Sequence, residues 1–559
     1  MSKTSVPNQI RGRALVLTTI LMSLVAAVTL RLAYWQLARN TPVGPDSAAR
    51  ESFPPQRGNI FDCHGYLLAV ATTIYDIGAS PRNIADRALV ADRLSGALGE
   101  PRDDILALLE QDEAHVPIKR GISESVKESV MQWGSGILQA DPRPARIYPE
   151  GTLAAHVLGF VTEDGTGHYG LEGYYQDELG GRTGYRQESR DPLGSLLFEF
   201  LSAQDGTDAY LTLDRNIQQI VEVELADAVT SSGARHGVVI VMDPATGAIL
   251  ALAGYPTYDP NTRIVADEQV FINRAVSDQY EPGSVFKIIT MAAALDAGVV
   301  TASSTYYDGG ETTVGGRKIM NSDRLAHGQT SMNDLMAESL NVGAAHLSTS
   351  LGALKFYQYL RRFGFGQLAS VDLAGEVSGH VRLPGDADWH ESDLGANSFG
   401  QGIAVTPLQM LCAVSAVANG GLLMRPYVVA RLVDRDRVTE TRPEIVRRVI
   451  SSEAAKQTVE MMVYTVKNAT VTARVPGYRV AGKSGTSEVP VETGYDPEET
   501  IASFAGFVPA DAPRFSILVV LDRPQKEHWG GLVAAPVFQK LAQQLVSLLG
   551  VPPDDAGRQ

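Results

Sequence analysis

Glu281-Pro282-Gly283-Ser284-Val285-Phe286-Lys287-Ile288-Ile289-Thr290-Met291-Ala292-Ala293-Ala294-Leu295 reads as a turn opening an apolar helix. Pro282 and Gly283 mark the entry, so Ser284 falls in the first turn, where free backbone N–H groups and the positive end of the helix dipole favour a developing anion. Lys287, three residues on, projects from the same face within reach of the serine hydroxyl. A hydroxyl is a weak nucleophile at neutral pH and needs an adjacent base. A lysine can be that base only if burial or nearby cations lower its pKa. The spacing alone is cheap. With 11 lysines in the chain and serine at roughly one residue in fifteen, about one Ser-x-x-Lys arises by chance, and a helix start with a solvated lysine accounts for it.

Two further clusters change the weighing. Glu338-Ser339-Leu340-Asn341-Val342-Gly343 ends a stretch of helical pattern and offers a hydroxyl to pass protons and an amide to bind a peptide group. Alone it is an ordinary cap or turn. Ala481-Gly482-Lys483-Ser484-Gly485-Thr486-Ser487-Glu488 is strand-like, with Gly485 leaving room for a substrate to lie against the backbone. Lys483 adds a second cation that depresses the pKa of Lys287 and attracts a carboxylate. Alone it is a glycine turn with a surface lysine. Chance does not readily supply all three in this order, about 55 and 145 residues apart.

Together Ser284-x-x-Lys287, Ser339-x-Asn341 and Lys483-Ser484-Gly485 resemble the signature set of penicillin-binding proteins and serine β-lactamases. The likeness runs from residue 14 to about 550 and is to a class B, monofunctional penicillin-binding protein. Arg57-Gly58-Asn59-Ile60-Phe61-Asp62 with Gly65, Arg146-Ile147-Tyr148-Pro149, His156-Val157-Leu158-Gly159 and Gly170-Leu171-Glu172 are similar to motifs of its non-catalytic pedestal. Asn397-Ser398-Phe399-Gly400-Gln401-Gly402 and Ser503-Phe504-Ala505-Gly506-Phe507 are similar to its catalytic unit. One position departs: Cys63 stands where relatives usually carry Arg.

The resemblance implies a peptidoglycan D,D-transpeptidase acting on stem peptides that end in D-Ala-D-Ala. Ser284 is the nucleophile and Lys287 its base, Ser339 relays a proton to the leaving D-Ala, and Asn341 orients peptide and lysine. Lys483, Ser484, Gly485 and Thr486 receive the substrate, and the backbone N–H groups of Ser284 and Thr486 form the oxyanion hole. β-Lactams are expected to acylate Ser284 and stall. The chemistry calls for no metal and no organic cofactor. The Asn in Ser339-Leu340-Asn341 leans toward the cell-division type, which implies a polytopic membrane glycosyltransferase and other division proteins as partners. The alternatives are an elongation-type transpeptidase, a D,D-carboxypeptidase or β-lactamase, and a membrane-anchored β-lactam sensor or scaffold.

Outward from the site, the chain organises itself by composition. Its 559 residues exceed what one core serves. With 64 acidic against 48 basic groups, a net charge of -16 repels nucleic acid and anionic membrane surfaces. Cys63 and Cys412 are too far apart in sequence for a disulfide framework or a paired metal-ligand spacing. No acidic residue precedes Asp46, and residues 14–30 are apolar or small, behind Lys3, Arg11 and Arg13. This is expected to be an uncleaved anchor with a cytoplasmic amino terminus, Arg31 snorkelling and Tyr34 and Trp35 at the interface. A cleaved secretory signal is the competing reading. The expected layout is a cytoplasmic terminus 1–13, a transmembrane helix 14–37 and a linker 38–55. An elongated α+β pedestal follows at 56–204, then a larger α/β transpeptidase domain at 205–550, with an antiparallel sheet flanked by helices as in serine β-lactamases, and a flexible tail 551–559. The localisation this implies is a bacterial plasma membrane, with the catalytic part outside the cell.

Overall fold

The computed structural model describes residues 8–37, 50–190, 196–435, 437–491 and 494–554. The start of the expected cytoplasmic terminus, most of the expected linker and the end of the expected tail lie outside the described residues. The chain divides into two compact units, residues 1–55 with 182–204, and residues 56–181 with 205–559.

The first unit holds helix α1 (Asn8–Leu37). Within it Leu15–Tyr34 has a mean hydropathy of 2.1 and buries nothing inside the protein, so the segment is long and apolar enough to cross a membrane. Thr19 and Thr29 return their hydroxyls to the carbonyls of Leu15 and Val25, which satisfies these donors without water. Arg50–Phe53, at the end of the expected linker, is a strand. It pairs antiparallel with Gly184–Arg190, which pairs in turn with Leu196–Leu201.

In the second unit, residues expected in the pedestal contribute strands Ile60–Phe61, Leu67–Ala79, Val116–Ile122 and Leu138–Ile147 to a seven-stranded sheet completed by Asp208–Leu211, Val429–Asp434 and Arg437–Glu440. Helices Arg87–Leu98, Arg102–Leu109 and Glu124–Gly134 supply Val90, Leu94, Ile105, Leu109 and Val130 to a core of their own with Ile77 and Val116. Three of the separated motifs meet here at one carboxylate. Glu172, with no exposed side-chain surface, takes Arg57 Nε at 2.6 Å and Arg146 Nε at 2.7 Å, and Tyr148 Oη donates to it at 3.3 Å. Removing one partner from a buried ionic cluster leaves the others charged and unpaired. Glu172→Ala is expected to destabilise the protein by about 3–5 kcal/mol, read by denaturant unfolding.

The catalytic half is built on a five-stranded antiparallel sheet. Helix α2 (Arg215–Ser232) starts where the Asp214 side chain accepts from Asn216 N and Ile217 N, and it stops at Gly233 with φ 71°. Strands β1 (His236–Met242) and β2 (Ile249–Tyr255) form a hairpin, and helix α3 (Lys287–Asp296) follows a 3₁₀ turn at Gly283–Phe286. Helix α4 spans Asn341–Leu351. Strands β3 (Ala481–Val491), β4 (Gly494–Val508) and β5 (Phe515–Asp522) and helix α5 (Gly530–Leu548) complete the unit. The strand order is β2-β1-β5-β4-β3, which leaves β3 at the edge.

Both faces of β5 are covered, so it is buried along its whole length. Ile517, Val519 and Leu521 join a core with Val221 and Leu225 of α2 and Phe538 and Leu541 of α5. The alternate residues Leu518 and Val520 join Ile288, Met291 and Ala292 of α3 in the other. The period-2 alternation of strands thus sets helices on both sides of one sheet, the antiparallel sheet flanked by helices that the sequence motifs imply.

Candidate active site

Ser284 lies in the 3₁₀ turn that leads into α3, and its N–H belongs to a first turn that offers it no acceptor. The turn is pressed between two strips of backbone. Gly283 adopts φ 55°, and a Cβ there would come within 2.7 Å of Thr486 O. Gly400 adopts φ 81°, and a Cβ there would lie 2.3 Å from Gly283 O. Only glycines allow the Ser284 loop, the Gly400 loop and edge strand β3 to close this far.

Lys287 is 1% exposed. Its Nζ stands 3.0 Å from Ser284 Oγ, 2.5 Å from Ser339 O, 3.1 Å from Ser339 Oγ and 2.8 Å from Asn341 Oδ1. Asn341 Nδ2 donates to Met320 O at 3.1 Å, which turns the amide oxygen toward the lysine. Two of the four neighbours, a carbonyl and an amide oxygen, can only accept. A neutral amine has two N–H bonds for them and a lone pair left for the Ser284 hydroxyl proton. Burial first, and the Lys483 cation second, push Lys287 well below the usual lysine range, the direction that frees the lone pair.

Helix Met332–Ala337 ends at Glu338, where the pattern predicts a helix end; Ser339 follows in the turn, and Asn341 is the first residue of α4. Ser339 adopts φ 60°, a left-handed conformation uncommon for serine, and this aims both its carbonyl and its hydroxyl at Lys287 Nζ. The single strained residue is why a turn with no regular structure can deliver two groups to one atom.

On β3, alternation separates the third motif into two jobs. Lys483, Gly485 and Ser487 are buried on one face. Gly485 leaves space for Pro282 O and Val285 beside the nucleophile turn, and a Cβ there would stand 2.8 Å from each. Lys483, 1% exposed, is brought down to about 8 by burial. Ser484 and Thr486 point to the other face, where Thr486 Oγ1 accepts from Gly530 N at 3.0 Å at the start of α5. Thr486 O faces the Gly283 turn. In an extended strand the N–H and C=O of one residue point the same way, so Thr486 N–H also leaves the open edge of the sheet on the Ser284 side.

Glu281 and Tyr495 belong to the site without being part of any of the three motifs. Glu281 Oε1 accepts from Gly402 N at 2.9 Å and from Tyr495 Oη at 3.1 Å, while Ser487 Oγ donates to the Glu281 carbonyl at 2.6 Å. One residue thus ties together the nucleophile turn, the Gly400–Gly402 loop and the β3–β4 hairpin. Its Oε2 is buried with no partner, and burial raises the carboxyl to about 7. The only sequence signal was Glu281's place three residues before Ser284. Because the folded-state value lies above the unfolded one, the neutral carboxyl stabilises the fold fully below the ordinary glutamate value of 4.5, and this is lost as pH rises through about 7. Glu281→Gln, which mimics the neutral form, is expected to match wild type near pH 4 and exceed it by about 3 kcal/mol at pH 9 in unfolding experiments.

A serine hydroxyl facing a buried, depressed lysine, a polar turn on that lysine and an edge strand beside the nucleophile define a serine acyl-transfer enzyme of the penicillin-recognising type. Residues 237–543 match the penicillin binding protein transpeptidase domain, and residues 52–211 match the penicillin-binding protein dimerisation domain. The chain belongs to the penicillin-binding protein transpeptidase family. It is 33% identical over 542 residues to Stage V sporulation protein D of Bacillus subtilis (strain 168), covering 94% of this chain and 83% of that protein. It is 32% identical over 555 residues to the probable peptidoglycan D,D-transpeptidase PbpC of Pseudomonas aeruginosa, covering 97% and 96%. Among solved structures, Penicillin Binding Protein 2X from Streptococcus thermophilus superposes with a TM-score of 0.78 at 27% identity, covering 91% of this chain and 82% of that one. Penicillin binding protein 3 from Mycobacterium tuberculosis, complexed with aztreonam, gives 0.71 at 28%, covering 90% and 98%.

Proposed function

We propose that this enzyme is a peptidoglycan D,D-transpeptidase that cross-links stem peptides during septal wall synthesis, anchored by α1 with its catalytic half outside the membrane. The observation that carries the reaction is the set of four oxygens around Lys287 Nζ, two of which only accept, so that the remaining lone pair meets the Ser284 proton.

In the first half-reaction Ser284 Oγ bonds to the carbonyl carbon of the penultimate D-Ala while its proton passes to Lys287 Nζ. The N–H groups of Ser284 and Thr486 take the oxyanion. As the C–N bond breaks, the proton returns through Ser339 Oγ to the departing D-Ala nitrogen. In the second half-reaction the amine of another stem peptide attacks the acyl carbon and gives its proton to Lys287, which passes it to Ser284 Oγ as the acyl C–Oγ bond breaks. Lys483, Ser484 and Thr486 receive the terminal carboxylate, a role supported by the Lys483 cation, which stands close enough to Lys287 to lower it. β-Lactams enter by the first step and fail at the second. Neither half-reaction draws on a cofactor.

The septal assignment rests on the Ser339-Leu340-Asn341 pattern, where the amide holds Lys287 with its oxygen and Met320 O with its nitrogen, two roles one carboxylate cannot fill. The anchored topology rests on Lys3, Arg11 and Arg13 ahead of the span. A polytopic glycosyltransferase is the proposed partner of α1, whose Thr18, Thr19, Ser23 and Thr29 suit close helix packing. Purified full-length enzyme given a stem pentapeptide donor and an amine-bearing acceptor is expected to release D-Ala and form the joined peptide. Free tetrapeptide alone would mark a carboxypeptidase. A fluorescent fusion is expected at midcell, with filaments on depletion; rounded cells and a sidewall signal would assign the enzyme to elongation.

A further inference from the structure

Away from the catalytic centre, Cys63, His64 and Asp214 bring a thiol sulfur, an imidazole nitrogen and a carboxylate oxygen within 4.8 Å of one another. The spacing of the two cysteines gave no sign of this, because the third group comes from a segment about 150 residues later. The arrangement is built, not incidental to a loose surface. Asp62 Oδ1 accepts from the backbone N–H of His64 at 2.9 Å and of Tyr66 at 2.8 Å, and Asp62 N donates to Tyr66 O at 2.9 Å, which fixes the turn carrying Cys63 and His64. Cys63 N donates to Leu213 O at 3.0 Å, and Arg215 N donates to Asp62 Oδ2 at 3.2 Å, so the turn is laced directly to the start of α2.

Asp214 is held from its own side. Its Oδ1 caps α2, and its Oδ2 faces His64 Nε2 at 3.0 Å. Asp62, with both oxygens occupied by backbone donors, orients the cluster and is not a ligand. The local charge favours a cation. Asp62 and Asp214 flank the thiol, and the guanidinium of Arg215 is committed to Glu150 through two contacts of 2.8 Å.

We infer that Cys63, His64 and Asp214 form a binding site for a soft divalent transition metal, Zn²⁺ above all, clipping the Asp62–Tyr66 turn to the N-terminus of α2. Sulfur, imidazole nitrogen and carboxylate oxygen are the donor types zinc takes, at about 2.0–2.3 Å each. Ligand atoms of a tetrahedral site stand about 3.3–3.8 Å apart on that basis. The three atoms lie at 3.0 Å to at most 4.8 Å, so small side-chain rotations close the set. His64 is 57% exposed and Asp214 13%, which gives an entry path and leaves a fourth position for water. On binding, the Cys63 S–H bond breaks, the S–Zn bond forms and the proton goes to solvent, with no change of oxidation state.

The test uses full-length protein in detergent, stripped with a chelator and titrated with Co²⁺. The expected result is a thiolate-to-cobalt charge-transfer band that saturates at one equivalent and is discharged by Zn²⁺. Cys63→Ser and His64→Ala are expected to weaken binding by at least about tenfold, the smaller loss seen when even a supporting residue of a metal site is removed. Cys412→Ser, at the other, buried cysteine, is expected to keep the band. All three variants are expected still to be labelled by fluorescent penicillin, which reports folding. Peptide-resolved alkylation of wild type reads the same claim without a variant, since Zn²⁺ is expected to slow modification of Cys63 at least tenfold. Absence of the band, an unchanged titration in Cys63→Ser, or alkylation indifferent to Zn²⁺ would each overturn the site.

Discussion

Lys287→Met is expected to lower the second-order rate of acylation by a β-lactam about 10²–10⁴-fold at neutral pH, the usual contribution of a positioned general base. Methionine keeps the volume of the lysine stem in a buried site but offers neither lone pair nor N–H. The Ser284 proton then has no acceptor at 3.0 Å, and attack must await solvent. The same account fixes the pH dependence. Burial and the Lys483 cation bring Lys287 down from the ordinary lysine range, so the wild-type rate is expected to rise with pH as the amine loses its proton and to level off below 10.5. In the methionine variant that limb is expected to vanish. Stopped-flow labelling with a fluorescent penicillin across pH reads both. A loss smaller than tenfold with the pH limb intact would remove Lys287 from the role of base.

Ser284→Ala is expected to be the more complete lesion, abolishing the covalent adduct and lowering transpeptidation by about 10⁶-fold, the scale for deletion of a serine nucleophile. Ser284 is partly exposed, and its loss costs Lys287 one of four neighbours. The variant is therefore expected to unfold at close to the wild-type temperature. Measured release of D-Ala from a stem pentapeptide, beside the thermal transition, separates lost chemistry from lost fold. Persistent septation in cells carrying only this variant would favour the scaffold reading over the catalytic one.

What could be read in the sequence followed periodicity and motif chemistry. The apolar patterns of Gly237–Met242, Ala248–Ala253, Ile217–Val229, Arg514–Leu521 and Ala534–Leu549 predict β1, β2, α2, β5 and α5 to within a few residues, whereas the pattern of Ile501–Val508 marks only the second half of β4. Ser284, Lys287, Ser339 and Asn341 converge as their order suggested. Three things were hidden for physical reasons. The meeting of Arg57, Arg146 and Tyr148 on Glu172 is a tertiary event whose four residues span 115 positions, with no local pattern. The φ of 60° at Ser339 runs against serine's own preference, so no local propensity marks it. Glu281 and Tyr495 lie 214 positions apart, and a tyrosine in a hairpin carries no mark of the carboxyl it will meet.

The most direct measurement is peptide-resolved mass spectrometry of the full-length enzyme during hours of incubation with a penicillin. A serine acyl-enzyme built on Lys287 predicts one adduct per chain, confined to the peptide bearing Ser284 and persisting through the incubation. An adduct on another residue, or steady appearance of hydrolysed penicillin without any accumulating adduct, would contradict it.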